Sequence, residues 1–170
     1  MSGHSKWSQI KHCKALTDKK RGQLFSKASK LISLAAKKGI NPETNLELKN
    51  AIEKARALNM PNDNIQRAIS RVADKSPQLE ELSIEAIGPG NIALKIKAVT
   101  DSHNRTIGEI KKILGDNSSK VVPPDSISWM LNQPAPALDK STQNQVDKLF
   151  NDLNEQDDVE DIISNLQKKI

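Results

Sequence analysis

Tyrosine is absent from this 170-residue chain, and aromatic residues make up 2% of it. Any core must therefore be built from Leu, Ile, Val and Ala. There is one cysteine, Cys13, so no internal disulfide can form, and a reducing, cytoplasmic setting is expected. No apolar run approaches the roughly 18 residues that would suggest a membrane span. No apolar segment follows the first lysines, so a secretory signal is not expected. Metal-binding spacings are missing too: His4, His12, Cys13 and His103 make no C-x-x-C or H-x-x-x-H pattern. Neither a metal nor a cofactor is expected.

Acidic residues are scarce in one half only. Residues 1–75 hold 16 Lys and Arg against 6 Asp and Glu, whereas residues 76–170 hold 10 against 15. Within residues 1–40 there are 10 basic residues and a single acid, Asp18. A basic module is thus joined to an acidic one, and basic segments commonly meet phosphate.

The hydrophobic period changes along the chain. Residues 1–15 carry no sustained period and read either as a tag scar or frayed terminus or as a flexible basic arm that orders on a partner. From Thr17 to Lys38, Leu24, Phe25, Ala28, Leu31, Ile32, Leu34, Ala35 and Ala36 fill one helical arc, and Gly39 ends it. Asn41-Pro42-Glu43 reads as the start of a second helix, continued by Leu48, Ile52 and Ala55. After Pro61, the residues Ile65, Ala68, Ile69 and Val72 predict a third. A three-helix basic domain over 16–75 follows, with 74–79 as linker.

Beyond the linker the period falls to two. Ile92, Leu94, Ile96 and Ala98 mark a half-buried strand, Ser83–Ile87 the strand before it, and Gly88-Pro89-Gly90-Asn91 the hairpin turn. Ile107, Ile110 and Leu114 mark a helix ended by Gly115. Ile127, Trp129 and Leu131 alternate as a further strand, and 133–137 (QPAPA) reads as an extended connector. Val146, Leu149, Phe150 and Leu153 predict a last helix, and Val159–Ser164 a closing strand. Residues 79–170 are thus expected to form a small α+β sandwich of order ββαβ–αβ with its helices on one sheet face.

The chemistry sits in the basic module. Lys19, Lys20, Lys27, Lys30, Lys37 and Lys38 fall within an arc of about 100° beside the apolar face of the first helix. No acid neutralises them at helical spacing, so they repel one another unless an anion lies alongside. With nine lysines and only Arg21 in residues 1–40, the surface suits phosphates better than base edges. The candidate nucleic-acid contacts are His4, Lys6, Trp7, Lys11, His12 and Lys14 in the arm, and Lys19, Lys20, Arg21, Lys27, Lys30, Lys37 and Lys38 on the helix. Trp7 either stacks on a base or anchors the arm on its own domain. A membrane-surface role fits poorly, because the first helix needs its apolar arc for two further helices.

Thr100–Thr106 (TDSHNRT) is dense in polar groups at a strand-to-helix junction. Neighbours in sequence do not make a catalytic triad, and Asp101 or Ser102 is expected to cap the helix. The six acids of Asp152–Asp161 are expected to be a solvated helix end and turn. A nuclease would need clustered carboxylates near the basic face, where residues 1–40 supply only Asp18. No enzymatic activity and no small-molecule substrate are expected.

Four stretches carry a resemblance: SGHSKWSQIKHCK at 2–14, NMPNDNIQRAI at 59–69, GPGNIALKI at 88–96 and TDSHNRTIGEIKKIL at 100–114. Together they resemble the YebC/PmpR family, from the first residues to about Leu131 and again, faintly, over 146–166. The resemblance implies a helical domain followed by two α+β domains, one inserted into the other. It implies DNA binding in transcription control. The alternative it offers is a translation factor on ribosomal RNA, as in the related mitochondrial translational activator of cytochrome oxidase. This chain departs from the pattern after Ser128–Leu131, where the short connector replaces most of the inserted domain. Cys13 stands where the family usually has arginine.

Overall fold

The computed structural model describes residues 18–72 and 78–166. The arm at 1–15 and most of the linker at 74–79 lie outside them. Two compact units emerge, and the whole is an α+β fold.

The helical unit contains α1 (Asp18–Ala36), α2 (Leu46–Ala57) and α3 (Asn62–Ser70). Leu24, Ala28, Ile32, Ala35 and Ala36 form the buried stripe of α1. Several of these are alanines, which let neighbouring helices approach closely. Leu48, Ala51, Ile52 and Ala55 answer from α2, and Ile65 and Ala68 from α3. The Ser33 hydroxyl, on the buried side of α1, donates to the Ala68 carbonyl at 2.7 Å.

The second helix starts later than the Asn41-Pro42-Glu43 signal suggests. Those residues form a turn in which the Glu43 amide donates to Asn41 Oδ1 at 2.9 Å. Asn45 is the cap instead. Its Oδ1 accepts from the Leu48 amide at 3.1 Å. Its Nδ2 donates to the carbonyls of Ala35 at 2.8 Å and Gly39 at 2.7 Å. One side chain thus satisfies an orphan donor of α2 and ties it to carbonyls at and just beyond the end of α1.

The second unit is built on β1 (Glu80–Gly88), β2 (Ile92–Thr100), β3 (Lys120–Val122) and β4 (Val159–Ser164), in the spatial order β3-β1-β2-β4. The edge pairings are antiparallel, with Glu85 opposite Val122 and Ile96 opposite Ile162. Between them run α4 (His103–Asp116), the short α5 (Ser128–Leu131) and α6 (Lys140–Glu155). Ile84 and Ala86 of β1, and Ile92, Leu94 and Ile96 of β2, share one buried cluster with Ile110 and Leu114 of α4. Val146, Leu149 and Leu153 of α6 complete it. α4 and α6 therefore cover one sheet face, and the element order is ββαβ–ααβ, with the single turn of α5 ahead of α6.

The third strand is not the one the alternation suggests. Ile127, Trp129 and Leu131 lie in and before the single turn of α5, with Ile127 buried and Trp129 62% exposed. The strand is Lys120–Val122, three residues long and closed by Pro123-Pro124, which cannot continue a ladder. Gly115 does not end α4 either. The helix runs to Asp116, and Asn117 returns its side-chain amide to the Ile113 carbonyl at 2.9 Å.

The hairpin turn follows the glycine-proline signal. Gly90 has φ +69°, and a Cβ there would collide with Leu138 and Thr142, so the connector and the start of α6 require glycine at this point. The connector passes from α5 to α6 in residues 132–139 and pairs with the sheet through the Ala135 amide, which donates to the Asn165 carbonyl at 3.1 Å.

Candidate nucleic-acid interface

Twelve basic and five acidic residues fall within residues 18–72, and the helical unit distributes them unevenly. Lys19, Lys20 and Arg21 stand exposed on the opening turn of α1, beside Asp18. Lys30 is half-buried two turns further on. Lys37 is exposed and donates to the Leu79 carbonyl at 2.6 Å. Lys38 pairs with Glu47 of α2 at 2.7 Å, both side chains more than half exposed. So the acid that α1 lacks in sequence arrives from the next helix.

Lys27 does not belong to this exposed set. It is 2% exposed. Leu24 lies three residues before it and Leu31 four after, which sets it at the edge of the inward stripe. It presents no charge to a ligand. The six arm residues His4, Lys6, Trp7, Lys11, His12 and Lys14 lie outside the described residues.

Two cations were missed by reading α1 alone. Arg67 and Arg71 lie one turn apart along α3, and the Arg71 amide donates to the Arg67 carbonyl at 3.1 Å, so helical geometry continues through the cap. They line a groove of about 310 Å3 between α3 and α1. The α1 wall is Gly22, Phe25, Ser26, Ser29 and Lys30; Met60 and Asn64 complete the lining. Phe25, expected in the core, is half-buried here instead. The signal that would have found this site is the i, i+4 arginine spacing on the polar face of α3, together with the serines opposite.

The polar junction of the second unit has a different role. Arg105 Nη2 and Thr106 Oγ1, on the first turn of α4, both donate to Asp158 Oδ2, at 2.8 and 2.6 Å. Asp158 is 1% exposed. Ser102 occupies the cap position without a side-chain capping bond. Gln156 Oε1 accepts from the amides of Asp158 and Val159, at 2.7 and 2.8 Å. The acidic run thus carries a buried clamp and is not wholly solvated. Among the described residues no group of three His, Cys, Asp or Glu is placed to hold a metal, and no helix is long and apolar enough to cross a membrane.

The TACO1/YebC protein N-terminal domain matches residues 5–75, and the TACO1/YebC second and third domain matches residues 79–135. The chain belongs to the TACO1/YebC family. A relative from Chloroflexus aurantiacus is 47% identical over 137 residues, covering 78% of this chain and 54% of the relative. One from Dictyoglomus turgidum is 42% identical over 156 residues, covering 89% and 63%. Both carry the name probable transcriptional regulatory protein. The chain thus spans little more than half the length of such TACO1/YebC proteins. The crystal structure of a conserved hypothetical protein from Aquifex aeolicus matches with a TM-score of 0.83 at 27% identity, over 96% of this chain and 97% of that one. The relatives' names are regulatory, and the connector between α5 and α6 in this chain is eight residues long.

Proposed function

We infer that this protein is a non-catalytic, DNA-binding regulator that grips the phosphate backbone through the helical unit and the basic arm before it. The observation that carries this reading is the exposed triplet Lys19-Lys20-Arg21 opening α1, continued by Lys30 and the arginine pair Arg67 and Arg71 along one groove. Cations at an exposed surface can exchange their weak local contacts for a polyanion, and lysine-rich surfaces follow a backbone more than they read bases. The regulatory names of the TACO1/YebC relatives support the same direction. The Lys38–Glu47 pair is no obstacle, because an exposed ion pair is worth at most about 1 kcal/mol and yields to a phosphate.

The test is a mobility shift of the full chain on a promoter-sized duplex and on a scrambled duplex, across a salt series. If about six phosphates are neutralised, log K against log salt falls with a slope of about −5. A flat salt dependence would remove phosphate gripping. Equal affinity for the two duplexes would leave backbone binding and remove sequence-directed regulation.

A further inference from the structure

The groove between α1 and α3 is more than a continuation of a basic surface. A solvated edge of lysines has no floor. Here Phe25 and the largely buried Met60 supply apolar surface, Ser26, Ser29 and Asn64 supply polar groups, and two guanidinium groups stand on the α3 side. Its volume of about 310 Å3 is at the lower end of small-ligand sites. That is room for one nucleotide, not for a paired and stacked duplex.

We propose that this groove is a subsite for a single unstacked nucleotide of a DNA strand, its phosphate held by Arg67 and Arg71 and its base laid against Phe25. The proposal rests on the reading above and deepens it. Arginine's planar fork matches phosphate oxygens in a two-pronged way that lysine cannot. Arg67 and Arg71 are about 6 Å apart along the helix axis, close enough to share one phosphate or to hold successive ones. An aromatic ring accepts the face of any base. Asn64 offers a donor and an acceptor side by side, the pair that reads a base edge. The serine hydroxyls opposite donate or accept as the sugar and phosphate require. A base still paired inside a duplex presents neither face nor pairing edge, and unstacking it costs free energy. A strand with a nucleotide already unpaired therefore binds more tightly than the same duplex fully paired.

The experiment uses the full chain and three fluorescent DNA probes: a perfect 20-base-pair duplex, that duplex with one extra unpaired 2-aminopurine, and the corresponding single strand. The expected result is about tenfold tighter binding of the probe with the unpaired nucleotide than of the perfect duplex, with a change in 2-aminopurine emission on binding. In Arg67→Gln/Arg71→Gln, and separately in Phe25→Leu, the advantage shrinks to within about twofold. The two arginines are exposed, so their replacement tests the site without loss of the fold. Binding of all three probes with equal affinity, or an advantage that survives both variants, overturns the nucleotide subsite alone. Failure to bind any probe overturns the DNA-binding reading and the subsite with it.

Discussion

The two units use charge in opposite ways. In the helical unit the cations Lys19, Lys20, Arg21, Arg67 and Arg71 are exposed and Lys27 alone of the described cations is buried, while uncharged groups, Asn45 and Ser33, tie the helices together. In the α+β unit a charged group is the closure. Asp158 is buried and ties the first turn of α4 to the loop before β4 through Arg105 and Thr106. Charge spent on holding a fold is not available to a ligand, and charge left at the surface adds little to stability. The same substitution, charged to neutral, should therefore damage stability in one unit and binding in the other.

The sharpest break of this comparison is Asp158→Ala. It removes the acceptor that the buried Thr106 hydroxyl and the Arg105 guanidinium share, and stability should fall by about 2–4 kcal/mol. Urea denaturation reads this, and DNA affinity of the folded fraction should be unchanged. Asn45→Ala comes next, removing a cap and the donor to two carbonyls, for about 1–2 kcal/mol. Glu47→Gln is smaller. Its stability effect should stay within about 0.5 kcal/mol, while DNA affinity rises up to about threefold as one negative charge beside Lys38 is removed.

The smallest effect is a pH dependence within the α+β unit. Asp139 is held below the usual carboxylate range by its hydrogen bonds from Thr142 at the start of α6. Asp152 is held below it by its bond from Lys148, with a second from Asn117. A depressed carboxylate stabilises fully above its unfolded pKa and loses that contribution as pH falls through its folded value. The thermal midpoint should therefore be level above about pH 5 and drop below about pH 4. Asp139→Asn/Asp152→Asn should lower the midpoint at pH 7 and flatten the acid limb.

Much of this architecture was readable from local pattern. The stripes Leu24-Ala28-Ile32, Leu48-Ile52-Ala55 and Ile65-Ala68 state three helices, because a helix repeats its inward face every three or four residues. The GPGN turn states a hairpin. Patterns too short to repeat were not readable. Lys120–Val122 has three residues, and the Ile127, Trp129, Leu131 alternation is as compatible with one helical turn as with a strand. Asn45 was hidden because its value lies in reaching back to Ala35 and Gly39, a tertiary matter. The candidate site was half-legible. The exposed cations of α1 follow from helical projection, but Lys27 lies close enough to the apolar stripe to be buried. Arg67 and Arg71 gain meaning only when α3 is laid beside Ser26 and Ser29. The family resemblance was legible from motifs that the packing alone would not have named.

The central claim is that cations left outside the fold of the helical unit are there for a polyanion. It is tested most directly by Lys19→Gln/Lys20→Gln/Arg21→Gln, titrated with duplex DNA over a salt series beside urea unfolding of the same protein. The account predicts unfolding within about 0.5 kcal/mol of the unaltered chain and a salt slope reduced by roughly 3. Unchanged affinity and slope in a folded variant would contradict it.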